Sequence, residues 1–427
     1  MPAQELQLLD LPDELLVEVL SHLDTIERHA ALPLVCSRLH SLLYSPRLLR
    51  HVAIVHQPTS PQPLRSLLNW LAACCAGRMK NLDLHLGMDY LEEAEALTCS
   101  ELAGQLLPVL AACGAAGGLE SLTVNADSEI RLSALVIGGW AAAMRGLKHL
   151  DLSWSGELRI TTPLRSLESL QSLRLRGAPL RLPTDAALPP SLGALSIGAN
   201  LGQGEGPLPL PLQIASLPQL RVLELQQWYQ PNGPEDSQGW RPLEALAGTL
   251  QQLCLHGVAR LPPNLGQPTA LTRLAIRNHF SRAEDASSAD AANQGILEAA
   301  LPRLCQLACL VVPVAGSGLR QLPPGDWLAS LRVLVLPARA AAASLPVLAA
   351  ATGVQRFGLY YGDEPVNVAD FPRLLRWAAG SPALLTLMLQ LRQFGCGIVD
   401  ALLELQRSKP QLAVKVTPRN ISLDYCY

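Results

Sequence analysis

Aromatic side chains are scarce in this chain: 4 Phe, 7 Tyr and 7 Trp make up 4% of 427 residues. Charge is also scarce, at 16% with a net of −3, against about 25% charged residues in an average domain. A near-neutral chain lacks the basic stripe that would neutralise phosphates, which argues against a nucleic-acid binder. No two of the ten cysteines form a C-x-x-C pair, so a thiolate metal site is not indicated and free thiols in a reducing compartment, cytoplasm or nucleus, are expected. Met1 to Glu5 carry neither the basic nor the apolar segment of a signal peptide. The uncharged apolar stretch Ala340 to Gln355 contains Pro346 and is too short to span a bilayer. Catalytic signatures are missing too. There is no Walker-type loop, no H-E-x-x-H and no G-x-S-x-G, and Gly202-x-Gly204-x-Gly206 sits in a Pro-rich stretch without a strand–turn–helix setting. Neither an enzyme nor a cofactor is expected.

What the chain has in abundance is leucine: 89 residues, within a 49% hydrophobic composition that excludes disorder. The leucines recur as L-x-x-L-x-L. Clear copies include Leu119/Leu122/Val124, Leu147/Leu150/Leu152, Leu220/Leu223/Leu225, Leu331/Leu334/Leu336 and Leu384/Leu387/Leu389, with motif starts 21 to 36 residues apart. A looser copy at Met79/Leu82/Leu84 opens the array and Val414/Val416 close it. The L-x-L portion alternates with period two and predicts a strand with leucines inward. A single such strand cannot bury its face alone, whereas stacked copies share one continuous core. The period is that of leucine-rich repeats. The expected fold is an α/β solenoid, a horseshoe with a parallel concave sheet of about 12–13 repeats over residues 79–416, followed by a tail at 417–427. The asparagine that usually closes each repeat is clear only at Asn200. Two polar insertions, Gln226–Pro242 and Asn278–Gly295, are expected to be loops.

The first residues lie outside this pattern. Leu11-Pro12 precedes Asp13 and Glu14, which place negative charge in the first turn of a helix, where the dipole favours it. Leu15, Leu16, Val19, Leu20 and Leu23 follow at helical spacing. A second helix is expected to carry Ala30, Ala31, Leu34 and Val35, a third Leu39, Leu42 and Leu43, and Ser45-Pro46 opens a short fourth. A small helical module over 7–56 and a connecting helix or linker over 57–78 result.

This stretch resembles an F-box, the helical module of the substrate receptors of SCF-type (cullin–RING) ubiquitin ligases. The resemblance is carried by Leu11-Pro12-x-Glu14-Leu15-Leu16-x-Glu18-Val19-Leu20 and by Leu34-Val35-Cys36-Ser37-Arg38-Leu39. Leu39 stands where the family usually has an aromatic, and Pro33 where it usually has a helix former. The resemblance implies docking on a Skp-type linker, and through it on the cullin scaffold, by Leu11, Pro12, Leu15, Leu16, Val19, Leu20, Leu34 and Val35. The repeats would hold an unknown substrate protein. The alternative is a structural leucine-rich-repeat scaffold, cytoskeletal or axonemal, whose first helices only cap the solenoid.

The outward strand positions change character along the array. Early copies are polar (Asn81, Asp83, His85), middle ones partly basic (Arg174, Arg176, Arg273, Arg277), and late ones apolar. Val311, Pro313, Val333, Val335, Pro337, Tyr360 and Met388 would form an exposed apolar patch, the expected substrate site. On this reading Val335→Asp abolishes partner capture and Leu16→Asp abolishes linker capture.

Overall fold

The computed structural model describes residues 8–57, 60–74, 78–87, 92–114, 118–127, 132–177, 179–181, 187–199, 212–226, 240–258, 261–277, 286–313, 319–360, 370–391 and 396–418. Asn200, Ala178, Trp228, Tyr229, Tyr361, the Gly202–Gly206 stretch, nearly all of the first polar insertion and the tail from 419 lie outside them. The chain divides into two compact units, Met1–Gln203 and Gly204–Tyr427. Both are α/β solenoid.

The first unit opens with helices α1 (Asp13–Ser21), α2 (Thr25–Ala31), α3 (Ser37–Leu43) and α4 (Pro46–Leu49). Strand β1 (His51–His56), helix α5 (Pro61–Cys74) and the strands β2 (Asn81–Gly87) and β3 (Ser121–Asp127) follow. Then come β4 (Leu135–Ile137), β5 (His149–Trp154), β6 (Leu158–Ile160), β7 (Ser172–Gly177), β8 (Leu180–Arg181) and β9 (Ala194–Ala199). The main sheet runs β1-β2-β3-β5-β7-β9, all parallel and in register: Leu82, Leu122, Leu150, Leu173 and Leu195 stand side by side. Each is buried, so the leucines fill one core. The sheet begins one strand earlier than the repeat pattern indicated. His51–His56, directly after α4, pairs in register with β2.

β4, β6 and β8 form a second, three-stranded parallel sheet. Glycine makes its close approach possible. A Cβ on Gly156 would stand 2.2 Å from the Leu132 carbonyl oxygen, and one on Gly177 would stand 2.5 Å from the Leu158 Cβ. At the strand entries, the Lys80 and Lys148 ammonium groups donate to Glu120 at 2.6 and 2.8 Å. Those hydrogen bonds hold the Glu120 carboxyl down at about 2.

The second unit holds β10 (Val222–Gln226), β11 (Gln252–His256), β12 (Arg273–Arg277), β13 (Cys309–Val311), β14 (Val333–Pro337), β15 (Arg356–Tyr360), β16 (Thr386–Leu391) and β17 (Ala413–Pro418). Each is parallel to the next and in register. Of the second polar insertion, 278–285 lie outside the described residues, and the remainder departs from the expected loop: residues 286–300 are helical. The segment is alanine-rich. It anchors through Leu297 and through the fully buried Asn293, whose Oδ1 accepts the Leu261 backbone N–H at 2.9 Å.

Because the Gly156 contact is with backbone, Gly156→Ala is expected to destabilise the first unit by about 1–3 kcal/mol through overpacking. Equilibrium urea unfolding checks this; an unchanged midpoint would show that the second sheet can shift at no cost.

Candidate functional site

The four N-terminal helices are short, and the starts of α2, α3 and α4 carry side-chain caps. At the start of α1 the Pro12 carbonyl accepts the first backbone bonds of the helix, from Leu15 and Leu16, and at the start of α3 Cys36 Sγ accepts from the Leu39 N–H. Asp24 Oδ1 accepts from Ile26 and Glu27 at the start of α2, and Ser45 accepts from Leu48 at the start of α4. Pro33 lies in the first positions of a 3-10 turn, Leu32–Leu34, where the missing N–H has no bond to lose. The second helix therefore ends at Ala31 rather than continuing to Val35, as the spacing had suggested.

This ending decides which apolar residues face water. Leu16 and Leu20 are buried with Val17, Leu39, Leu42, Leu43 and Leu48 in the module's own core, and Leu11 packs against it. Leu39 fills its place in that core without an aromatic ring. Leu15 (51% exposed), Val19 (42%), Leu34 (87%) and Val35 (62%) point outward, and Pro12 is exposed beside them. The eight residues expected on the docking face therefore divide: Leu16 and Leu20 hold the module together, Leu11 is half-buried, and five face solvent. Sequence spacing missed Leu8, Leu9 and Ile26, which are also exposed. Eight of the fifteen exposed large hydrophobic residues among the described residues fall between 8 and 35. Isolated surface leucines need no explanation, but this concentration in one small module marks an interaction surface.

Two sets of contacts hold these helices in place. The Arg38 guanidinium donates to Asp13 Oδ1 through Nε at 2.9 Å and Nη2 at 2.6 Å. It also donates to the carbonyls of Leu9 at 2.6 Å and Leu11 at 2.8 Å. One side chain thus ties the Leu-Pro start of α1 to α3. Arg47 pairs with Glu18 across α4 and α1. On the other side, His29 packs edge-on against Trp70 of α5, with centroids 4.8 Å apart, and against Tyr44 at 5.9 Å. Burial, with Arg28 and His40 nearby, lowers the His29 imidazole to about 4. The neutral ring is the form that joins the module to the first repeat.

The late outward positions do not form the expected exposed patch. Val311 and Val335 are fully buried, and Pro313, Pro337 and Met388 are buried as well, leaving Val333 and Tyr360 half-buried. The register explains it. Ala275, Val311 and Val335 stand on adjacent parallel strands, about 4.8 Å apart. They pack as a cluster of their own, with Cys254, Cys309 and Val333 at its edge. A Val335→Asp variant would place a carboxylate inside this cluster and report on folding rather than on capture. Leu16→Asp would do the same in the helical module.

Among the cysteines, Cys99 is buried, Cys36, Cys254 and Cys309 are half-buried, and Cys305 is exposed; all five are free. No group of three or more metal-ligating side chains stands together among the described residues. Among those residues no helix is long and apolar enough to cross a membrane.

Residues 8–51 match the family model of the F-box domain. These helices are an F-box domain, a class of module that binds Skp-type linkers, and leucine-rich repeats follow it. Among solved structures, a leucine-rich-repeat protein of Leptospira interrogans aligns at 14% identity over 88% of this chain and 98% of that one, with a TM-score of 0.37. A comparison with curated proteins returned no match. The repeat fold follows from the in-register ladder itself.

Two outcomes are expected. Arg38→Ala removes two carbonyl bonds and two bonds to one carboxylate oxygen of Asp13 at a partly exposed site, and should lower stability by about 1–2 kcal/mol in urea unfolding. His29 binds its proton less readily folded than unfolded (ordinary value 6.5), so the stability it contributes is complete above pH 6.5 and lost as pH falls toward 4. The thermal midpoint should therefore drop between pH 6.5 and 5, above the range where Glu120 titrates, and His29→Phe should flatten that drop.

Proposed function

We propose that this chain is the substrate-recruiting, non-catalytic subunit of an SCF-type ubiquitin ligase, working in the cytoplasm or nucleus. The F-box would dock on a Skp-type linker and so on the cullin scaffold, and the repeats would hold the substrate protein. The observation that carries this reading is the exposure of Leu15, Val19, Leu34 and Val35 on an intact F-box core. Apolar anchors one helical turn apart suit a helical groove. Holding a substrate beside the ubiquitin-carrying enzyme raises its effective concentration there without any chemistry by the receptor itself. On the repeats, Val333 and Tyr360 are the members of the late apolar set with surface left to offer.

The rival is a structural leucine-rich-repeat scaffold on a cytoskeletal or axonemal assembly, in which the first helices serve only as a cap. The contact of His29 with Trp70 favours a capping role, but capping does not require these exposed apolar residues. Co-expression with a Skp-type linker separates the two. Wild type should co-purify with it. Leu34→Asp and Val35→Asp should each weaken capture about tenfold or more, the cost of one lost apolar anchor, with thermal unfolding unchanged. Failure of the wild type to capture the linker would favour the scaffold.

A further inference from the structure

The outward faces of the two units carry different electrostatics. In the first unit carboxylates and basic side chains share the outward face: Arg174 pairs with Asp151 at 3.4 Å, and Asp83 stands 3.0 Å from His85. In the second, Glu224 on β10 faces His256 at 3.5 Å. Beyond it, the outward positions of β11 to β17 contain no carboxylate, while Arg273, Arg356 and Lys415 are among them. In a chain whose net charge is −3, this strip is cationic.

One row of the strip is still accessible. The register sets Arg273 beside Cys309, Cys309 beside Val333, and Val333 beside Arg356. Arg356 is exposed, and Arg273, Cys309 and Val333 are half-buried. Cys309 and Val333 form the edge of the apolar cluster beneath. The described residues provide no ion pair or hydrogen bond for the Arg273 and Arg356 guanidinium groups. The row is therefore cation, apolar, apolar, cation across four strands. At about 4.8 Å per strand the two arginines stand about 14 Å apart. An extended peptide advances about 3.4 Å per residue, so four residues cover that distance, and positions i, i+2 and i+4 share a face.

We propose that the row Arg273–Cys309–Val333–Arg356 seats an extended acidic segment of a partner protein lying across the strands. Anionic groups at i and i+4 meet the two arginines, and an apolar side chain at i+2 covers Cys309 and Val333. The anion is a carboxylate or a phosphate, both of which a guanidinium fork accepts in bidentate fashion. This inference rests on the reading of the repeats as the substrate-holding part, and it specifies the class of substrate segment they take.

The test uses the full chain and nine-residue fluorescent peptides with three cores: Glu-x-Leu-x-Glu, phosphoserine-x-Leu-x-phosphoserine, and Lys-x-Leu-x-Lys, read by anisotropy. The better anionic core should bind about tenfold or more tightly than the lysine core, as two exposed ion pairs allow. Whichever anionic core wins identifies the source of charge. The double variant Arg273→Glu/Arg356→Glu should reverse the preference, and setting the anions three apart should weaken binding because one then faces away. Equal binding of all cores, an unchanged preference in the double variant, or tighter binding of poly-uridylate than of any peptide would overturn the proposal. Linker capture by the same preparations is scored separately. Capture without peptide selectivity sinks this inference alone, and selectivity without capture sinks the ubiquitin-ligase reading while leaving the row standing.

Discussion

The whole array depends on one constraint: a strand's side chains alternate between two faces, and in a parallel in-register sheet like residues stand above like residues. Once Leu82, Leu122, Leu150 and Leu173 are committed to the core, Asp83, Thr123, Asp151 and Arg174 must occupy the opposite face. In the second unit the same rule stacks Leu253, Leu274, Leu310 and Leu334 on one side and Cys254, Ala275, Val311 and Val335 on the other. Packing therefore dictates the leucines, and the residues between them are free to carry recognition. A one-residue slip would exchange the two sets, so register ties stability to surface chemistry.

That rule also explains why the outward face of the second unit is not uniformly available. Small apolar side chains stacked at one strand spacing cover one another, and the row through Val311 and Val335 becomes a second, minor core. The neighbouring row, bounded by arginines, keeps surface of its own. In the first unit, polar side chains on the same geometry satisfy each other instead. The Asp151 carboxyl, raised by burial, is countered by Arg174 and Arg176.

The F-box obeys a different logic. It is too small to bury all its leucines, so it divides them. Leu16, Leu20, Leu39, Leu42, Leu43 and Leu48 make a core, and Leu15, Val19, Leu34 and Val35 stay outside. Capping residues and the Arg38 bonds hold helices too short to persist alone. The 3-10 turn at Pro33 lifts Leu34 and Val35 out of helical register and exposes them. A proline that reads as a flaw in a helix is thus placed where its missing donor does no harm.

Much of this was legible in the sequence because it is local. Period-two leucines announce strands, their spacing announces repeats, and Leu11-Pro12 with Leu34-Val35-Cys36 announces the N-terminal module. Exposure was not legible, because it belongs to the assembled structure. Residues 15 and 16 are equally hydrophobic, and only helix packing buries one and offers the other. Val335 looks like surface on an isolated strand and becomes core when Val311 stands beside it. The helix at 286–300 required Asn293 to find the Leu261 backbone across more than thirty positions. The pairing of Arg273 with Arg356 across two intervening strands has no sequence period at all. The sequence by itself determined the repeat, the strand direction and the module's identity, since these follow from periodicity and composition. The tertiary structure alone decided which apolar and charged groups meet water, because burial depends on neighbours that the chain brings together only on folding.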